Sequence, residues 1–188
     1  MTLKPISPLN LIKLSSESGY MTFVGNLYHN SFPPEERRPW QAFVDLMDRP
    51  DSCFSVYLAV NDNHRPLGFI TLWELEDIVY AEHFAVDPEC RGGGLGARVI
   101  GMVLDKIAPA PLVLEVEPTG DPEFEPMASR RVAFYERNGL TAFPQYDYRQ
   151  PPYSPGQSGM RLMLMSSSTD VDLDKATRLI HQRVYGCI

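Results

Sequence analysis

Cysteine and histidine are scarce in this sequence, and their spacing fits neither a disulfide framework nor a metal site. Three cysteines, Cys53, Cys90 and Cys187, are scattered over 188 residues without a CxxC pair. An odd, scattered set is not the pattern of a small domain held together by disulfides. The four histidines include no HxxxH pair that could bind zinc. We therefore expect no metal and a reducing, cytoplasmic location.

The sequence also lacks an excess of positive charge and a long apolar run. Asp and Glu total 24 against 17 Lys and Arg, which gives a net charge of −7. Nucleic acids and anionic membranes favour basic surfaces, so neither is expected as a partner. No stretch approaches the roughly 18 apolar residues of a membrane span, and residues 1–14 do not resemble a secretion signal. The composition, 44% hydrophobic, is that of an ordinary single globular domain.

Apolar periodicity predicts a chain that mixes strands and helices, with no internal repeat. The predicted strands are short β-rich runs, at 3–6, 54–60, 67–73, 80–86, 112–117, 140–148 and 160–165. The predicted helices carry apolar stripes, at 9–30 with a break at Gly19, then 35–47, 95–107, 127–138 and 170–185. Strand alternation over 80–86 puts Glu82 and Phe84 on one face and His83 on the other.

The most informative segment is a glycine-rich loop between the strand at 80–86 and the helix at 95–107. It reads Arg-Gly-Gly-Gly-Leu-Gly over 91–96. Glycine permits a positive φ without steric cost, so several backbone N–H groups can converge there. The helix N-terminus adds a partial positive charge. Together these features predict a site for an anion, most often a phosphate.

Three other interpretations of this loop fit less well. A P-loop requires Lys and Ser or Thr after the glycines, and neither follows here. A dinucleotide fingerprint matches residues 92–97 literally, and Glu115 and Glu117 lie about 20 residues further on. However, five residues, 87–91, separate the strand from the first glycine, and only one strand–helix–strand unit is present. A purely structural turn would not need glycine at four of the five positions 92–96.

The loop matches a further phosphate pattern, Arg/Gln-x-x-Gly-x-Gly/Ala, over 91–96. With Phe-Ala-Val-Asp-Pro at 84–88 and Phe-Tyr-Glu-Arg-Asn-Gly-Leu at 134–140, the sequence resembles the GNAT family, the Gcn5-related N-acetyltransferases. The resemblance covers roughly residues 55 to 165 at the family's spacing. It implies an α+β (mixed α/β) fold: a mostly antiparallel central sheet of about six to seven strands with a parallel splayed pair, flanked by helices on both faces.

The resemblance also implies a domain organisation and a ligand. The acetyltransferase domain would span 1–168, and 169–188 would be a C-terminal helix packed on the domain or on a partner. Acetyl-CoA would be the co-substrate, with no metal, its pantetheine along the strand at 80–86 and its pyrophosphate on the glycine loop. The implied binding residues are Phe84, Ala85, Val86, Arg91, Gly92, Gly93, Gly94, Leu95, Gly96, Ala97 and Ser129. Arg98, Arg130 and Arg131 are further candidates for the nucleotide phosphates.

By the same resemblance, Tyr135 occupies the position of a general acid, since a tyrosine with an ordinary pKa is protonated at pH 7. Glu82 is the candidate general base, with Glu74 and Glu115 as rivals. Cys90 has no Cys–His–Asp arrangement beside it, so a covalent cysteine mechanism is not expected.

The sequence departs from the family pattern at one point. Many members carry an asparagine seven residues before the acid tyrosine and a small residue three positions after that asparagine. Those positions are Ala128 and Arg131 here, so either the expected side-chain bond to the pantetheine is missing or Ser129 replaces it.

The implied activity is acetyl transfer to a primary amine by direct attack in a ternary complex. The acceptor, a small-molecule amine or a peptide, would bind near 31–40 and 146–155. Five aromatic residues could line that pocket: Phe32, Trp40, Tyr146, Tyr148 and Tyr153. Glu35 and Glu36 could attract the amine. The alternative function is a non-catalytic acyl-CoA-binding or interaction module with this fold. Both a monomer and a homodimer are compatible with the sequence.

Overall fold

The computed structural model describes residues 8–154 and 156–187. Eight strands were found there: β1 Leu9–Lys13, β2 Phe54–Asn61, β3 Pro66–Leu75, β4 Ile78–Val86, β5 Leu112–Val116, β6 Thr141–Ala142, β7 Tyr148–Gln150 and β8 Met160–Ser166. The five α-helices of the same residues are α1 Met21–Ser31, α2 Trp40–Asp48, α3 Leu95–Ile107, α4 Met127–Arg137 and α5 Leu173–Arg183. The strand predicted at 3–6 lies outside the described residues.

One sheet holds the strands together, in the order β1-β2-β3-β4-β5-β8-β6, with β7 also paired to β8. Every pairing is antiparallel except that of β4 with β5. The parallel pairing covers only Val79–Ala81 against Leu112–Leu114. Beyond it β4 continues along β3 to Val86, whereas β5 continues along β8. The two strands therefore splay apart, as predicted, and open a cleft in the middle of the sheet.

Helices cover both faces of the sheet, and each face has its own apolar core. On one face α1, α2 and α5 bury residues such as Tyr28, Phe43 and Ile180. On the other, α3 and α4 bury residues such as Ile100 and Val132. This arrangement confirms the predicted fold class. The sheet has eight strands rather than the expected six to seven, because the segment predicted as one strand at 140–148 forms β6 and β7 at its two ends, and Leu9–Lys13, predicted as helical, forms β1.

Two predicted helices are corrected by the structure. Leu9–Lys13 is an edge strand rather than the start of a helix, since it pairs antiparallel with β2 and buries Leu9 in the core. Its short apolar run fits both the helical and the strand periodicity, so its pairing with β2 decides that it forms a strand. The break at Gly19 does occur, and α1 begins two residues later. The helix predicted from residue 35 begins only at Trp40, directly after Pro39, which stands outside it as the N-cap residue.

A β-bulge in β4 changes which residues share a face. Ile70 of β3 pairs with Phe84 and Leu72 pairs with Ala81, so one residue of β3, Thr71, faces two residues of β4. The His83 N–H donates to Thr71 Oγ1 at 2.9 Å. An extra residue breaks the two-residue alternation of side chains. Glu82 and His83 therefore both face the α1 and α2 side, and Phe84 faces α3 and α4. The predicted grouping of Glu82 with Phe84, opposite His83, is wrong.

Candidate active site

Two adjoining cavities occupy the cleft between the splayed strands. The inner one, of about 310 Å³, lies between β4 and β5, and Phe32 and Tyr153 are among its lining residues. The outer one, of about 650 Å³, lies between the glycine loop and α4. Six residues line both cavities and mark where they join: Phe84, Val86, Arg91, Met127, Arg131 and Tyr135. An extended ligand can therefore run from the glycine loop to the interior of the sheet.

The glycine loop forms an anion cradle at the N-terminus of α3. Gly94 is the N-cap residue of this helix and has a left-handed φ of 74°, which a residue with a Cβ adopts only with strain. The first helical bond in this turn runs from the Arg98 N–H to the Gly94 carbonyl, at 3.2 Å. The N–H groups of 95–97 precede it and point out of the helix end. Arg91 fastens the loop to β4, since its Nε donates to the Val86 carbonyl at 3.2 Å.

Gly96 serves the packing of α3 against α4. A Cβ on Gly96 would lie 3.2 Å from the Phe134 ring, tighter than ordinary van der Waals contact. Gly93 differs, because a Cβ there would meet nothing within 4 Å and its φ is not positive. Gly92, like Gly94, has a positive φ, in its case 81°, so three of the loop's glycines are required by the fold, whereas Gly93 leaves an open surface above the helix end.

The edge of β4 that faces β5 offers backbone groups to the cleft. Within the described residues, no strand pairs with this edge after Ala81. Phe84, Ala85 and Val86 line the inner cavity along it. An extended amide-containing chain can bond to such an edge as an added strand does. An unpaired strand edge that leads to an anion cradle fits coenzyme A, whose pantetheine carries amides and whose nucleotide carries a diphosphate.

Tyr135 lies at the junction of the two cavities. It projects from α4, is only 8% exposed and lines both cavities. Burial raises the pKa of Tyr135 to about 12; Arg131 acts to lower it and Glu117 to raise it. Its hydroxyl is therefore protonated at neutral pH and can donate.

Glu82 is a buried carboxylate whose two oxygens are held by three donors. Arg38 and Tyr153 donate to Oε1, the latter at 3.0 Å, and Trp73 Nε1 donates to Oε2 at 2.7 Å. The Arg38 guanidinium lies between the Trp73 and Tyr153 rings, 5.4 and 5.2 Å from their centres. Burial by itself would raise the pKa of Glu82, but Arg38 and the other donors bring it below its ordinary value. Glu82 is thus a firmly ionised partner of Arg38 and a weak base.

His83 lies beside Glu82 in the inner cavity. Its Nε2 is 3.1 Å from the Glu36 carbonyl, and its ring is edge-on to Tyr28 and Phe32. Burial lowers the pKa of His83, so the ring is neutral at pH 7. Among the described residues Nδ1 has no hydrogen-bond partner. His83 is thus part of the cavity wall, rather than on the opposite face as predicted.

Glu115 is the carboxylate that β5 presents to the inner cavity. Tyr148 donates to its Oε1, and Tyr185 donates to its Oε2 at 3.2 Å. Burial raises the pKa of Glu115 to about 7, and these phenol donors limit the rise. A carboxylate with a pKa near neutrality can accept a proton at physiological pH. The third candidate, Glu74, is exposed and lines neither cavity.

The remaining candidates divide between the site and its surroundings. Glu117 pairs with Arg131 at the cavity junction, and burial raises the pKa of nearby Glu36. Ser129 is exposed and its hydroxyl donates to Glu125 at 2.6 Å, so the structure does not bring it to the cleft. The first turn of α4 directs this side chain back along the chain. Ala128, where the family often has asparagine, is fully buried.

The predicted aromatic pocket is partly assembled. Phe32 and Tyr153 line the inner cavity, whereas Trp40 stacks on Phe43 in the core. The Tyr148 hydroxyl donates to Glu115, and the Tyr146 hydroxyl donates to Asp174 near the start of α5. Arg38, Trp73 and Tyr185 carried no signal in the sequence. Arg38 is 44 residues from its partner Glu82, and Tyr185 is 70 residues from its partner Glu115, so only folding brings them together. Trp73 reaches Glu82, nine residues away, through the pairing of β3 with β4.

Comparison with known proteins identifies the family. The model of the acetyltransferase (GNAT) family matches residues 21–140. A Bacteroides thetaiotaomicron protein, named as a GNAT-family acetyltransferase, superposes with a TM-score of 0.85 at 33% identity, over 95% of this chain and 99% of its own. The chain belongs to the GNAT family. As a member of it, the protein is an acetyl-CoA-dependent acyltransferase, and the function class implied by the family resemblance is confirmed.

More distant structures share the fold of this GNAT protein. Spermidine/spermine N-acetyltransferase SpeG from Vibrio cholerae, in complex with manganese ions, gives a TM-score of 0.59 at 18% identity, over 84% of this chain and 91% of its own. Spermidine N-acetyltransferase from the same organism, in complex with CoA and spermine, gives a TM-score of 0.61 at 18% identity, over 84% of this chain and 94% of its own. No protein of curated function matches the sequence. In residues 8–154 and 156–187 there is no helix long and apolar enough to cross a membrane, and no cluster of three or more His, Cys, Asp or Glu that could hold a metal ion.

Proposed function

We propose that this GNAT protein acetylates a small primary amine by direct attack of the amine on acetyl-CoA within a ternary complex. The observation that carries the proposal is the position of Tyr135, at the junction between the cavity beside the glycine loop and the cavity that contains Glu115. A donor and an acceptor of protons thus border one continuous space, as transfer from one bound substrate to another requires.

The cofactor site of the proposal consists of three parts of the cleft. The N–H groups of 92–97 hold the diphosphate, Arg91 fixes the loop that carries them, and the free edge at Phe84–Val86 binds the pantetheine amides. Ser129 is omitted, because its hydroxyl is turned to Glu125. When bound, acetyl-CoA supplies a thioester that a neutral amine can attack.

We assign the acid to Tyr135 and the base to Glu115. Glu115 takes a proton from the ammonium form of the acceptor, which frees the nitrogen lone pair. Tyr135 Oη provides a proton to the sulfur as the carbon–nitrogen bond forms and the carbon–sulfur bond breaks. The new amide nitrogen gives its surplus proton to the Tyr135 phenolate, which restores the acid, and Glu115 releases its proton to solvent. Glu82, the base expected from sequence, is less suitable because Arg38, Trp73 and Tyr153 already occupy its oxygens.

The acceptor of the proposal is a small cationic amine. The inner cavity is about 310 Å³ and is lined in part by aromatic residues, which suits a small molecule better than a folded protein. Two of its carboxylates, Glu36 and Glu115, have no salt-bridge partner in the described part of the chain, whereas Glu82 and Glu117 are paired with arginines. Unpaired carboxylates in a buried site attract a positive charge.

Release of coenzyme A thiol from acetyl-CoA across a panel of monoamines, diamines, polyamines and short peptides tests the activity, with mass spectrometry of the acetylated product. At least one small amine should react faster than the peptides. Glu115→Gln should lower the rate by about 10²–10⁴-fold while calorimetry finds unchanged CoA binding. Glu17→Gln, a change at an exposed glutamate outside both cavities, is the control. CoA binding without any amine-dependent thiol release would refute the proposed transfer.

A further inference from the structure

The segment that follows α5 reaches into the acceptor side of the site. Val184 is buried in the core on the side of α1 and α2, and the next residue, Tyr185, contacts Glu115, which lines the inner cavity. The Tyr185 hydroxyl donates to Glu115 Oε2 at 3.2 Å and lies 3.4 Å from the hydroxyls of Tyr80 and Tyr153. The Val184 carbonyl is 3.5 Å from the Arg38 guanidinium. The end of the chain therefore contacts the surroundings of both Glu82 and Glu115.

Glu115 is surrounded by phenol groups from four different parts of the chain. Tyr80 comes from β4, Tyr148 from β7, Tyr153 from the β7–β8 connection and Tyr185 from the segment after α5. Tyr148 and Tyr185 each donate to a different oxygen of the carboxylate. The titratable groups that face this cluster are Glu82 with its partner Arg38, His83 against Tyr153 and His181 against Tyr148. Burial lowers the pKa of both histidines.

Each phenol donor has two effects on the carboxylate. It fixes the rotation of the carboxyl group, and it favours the ionised form, because an O–H donor stabilises an anion more than a neutral acid. Tyr80 is a third phenol donor to this carboxylate. A carboxylate has about four acceptor positions, so three donors leave capacity for an amine in the cavity. Glu115 thus stays able to take a proton although it is buried.

We propose that Tyr185 is a positioning residue that orients Glu115 towards the cavity and sets the pH range in which this carboxylate acts. The proposal rests on the proposed function, in which Glu115 is the base. It makes the segment after α5 a part of the acetyltransferase site rather than an appended helix. Burial of Ala176, Leu179 and Ile180 of α5 against the sheet holds the segment in place.

The test is Tyr185→Phe, which removes one hydroxyl and keeps the ring. Without this donor the ionised form of Glu115 is less stable, so its titration should move to higher pH by about one unit. Two readouts report it: the acidic limb of the pH profile of kcat/KM, and ¹³C NMR of the glutamate carboxyls, in which Glu115→Gln identifies the Glu115 resonance. Thermal unfolding of the variant checks that its fold is retained.

The matched control is Tyr20→Phe, which also removes one hydroxyl, in this case a donor to the His64 carbonyl at 3.1 Å. It should leave the Glu115 titration unchanged. An unshifted Glu115 resonance and an unshifted acidic limb in Tyr185→Phe overturn the positioning role, even if Glu115→Gln is inactive and the proposed base stands. An equal shift in Tyr20→Phe also overturns it. A fully active Glu115→Gln variant would show that Glu115 is not the base, and the positioning role of Tyr185 in catalysis would fall with it.

Discussion

Replacing Arg38 with methionine should destabilise the fold strongly, because it leaves a buried charge without its partner. The side chains of Arg38 and Glu82 are 10% and 0% exposed. Breaking such a pair from one side costs about 3–5 kcal/mol, since the remaining charge cannot be solvated. A domain of this size has about 5–15 kcal/mol of stability in total. Arg38→Met therefore removes a large share of it, although the methionine still fills the space between Trp73 and Tyr153.

A second substitution separates the effect of charge from that of packing. Glu82→Gln removes the buried charge, so the double variant Arg38→Met/Glu82→Gln should be more stable than Arg38→Met alone. We expect a coupling free energy of about 2 kcal/mol or more between the two positions. Urea unfolding followed by far-UV circular dichroism measures it. Tryptophan fluorescence is unsuitable, because Trp73 itself donates to Glu82.

The pH dependence of stability provides an independent check. The folded-state pKa of Glu82 is lowered: burial opposes ionisation, but Arg38 and the other donors outweigh it. Its contribution to stability is therefore present above the pKa of the unfolded chain and is lost as the pH falls through the folded-state pKa. In Arg38→Met the charged partner is gone and only the neutral donors Trp73 and Tyr153 remain, so burial should raise the pKa of Glu82. This variant should therefore gain stability relative to the parent as the pH falls. A loss below 1 kcal/mol at pH 7, with no coupling to Glu82→Gln, would refute this reasoning.

Three further predictions concern the site itself. Tyr135→Phe should slow amine-dependent thiol release by about 10²–10⁴-fold with little change in CoA affinity by calorimetry. Gly94→Ala forces a Cβ into a left-handed φ and should cost about 1–2 kcal/mol of stability in urea unfolding, whereas Gly93→Ala should keep the parent's stability. The kcat/KM of the parent should fall as the pH drops through about 7, because burial raises the pKa of Glu115 to about 7 and its protonated form cannot act as a base. If the Glu115→Gln variant keeps the acidic limb of the kcat/KM profile, that limb belongs to the titration of another group.

The parts of the site that could be predicted from sequence are those that depend on local signals. The loop at 91–96 lies between a strand and a helix whose periods are both visible in the sequence, so its position at the end of α3 follows from neighbouring residues alone. The position of Tyr135 is likewise predictable, since it belongs to an amphipathic helix that ends at Arg137, two residues before Gly139, whose φ is positive. The splayed parallel pair was implied by the family resemblance and is present in the sheet.

The parts that could not be predicted depend on register and on distant contacts. The β4 bulge appears only when β3 and β4 are paired, and it reverses the expected orientation of His83 relative to Glu82. The partner of Glu82, Arg38, is 44 residues away, and the donor to Glu115, Tyr185, is 70 residues away. No period or motif relates residues at such separations. Sequence patterns could therefore name the candidate carboxylates but could not rank them.

The ranking follows from the type of donor that each carboxylate receives. Glu82 and Glu115 are both buried and lie on adjacent strands, so burial raises the pKa of both. Arg38 brings a full positive charge to Glu82, and the pKa of Glu82 ends below its ordinary value. Tyr148 and Tyr185 bring only neutral hydroxyls to Glu115, so its pKa remains near 7. The two environments thus move the pKa values of the two carboxylates in opposite directions. Glu82 is a structural anion, and Glu115 can exchange protons at neutral pH. Giving Glu115 a charged donor should therefore remove its catalytic role. Tyr185→Arg would supply such a partner, lower the pKa of Glu115, and abolish its use as a base without removing the carboxylate.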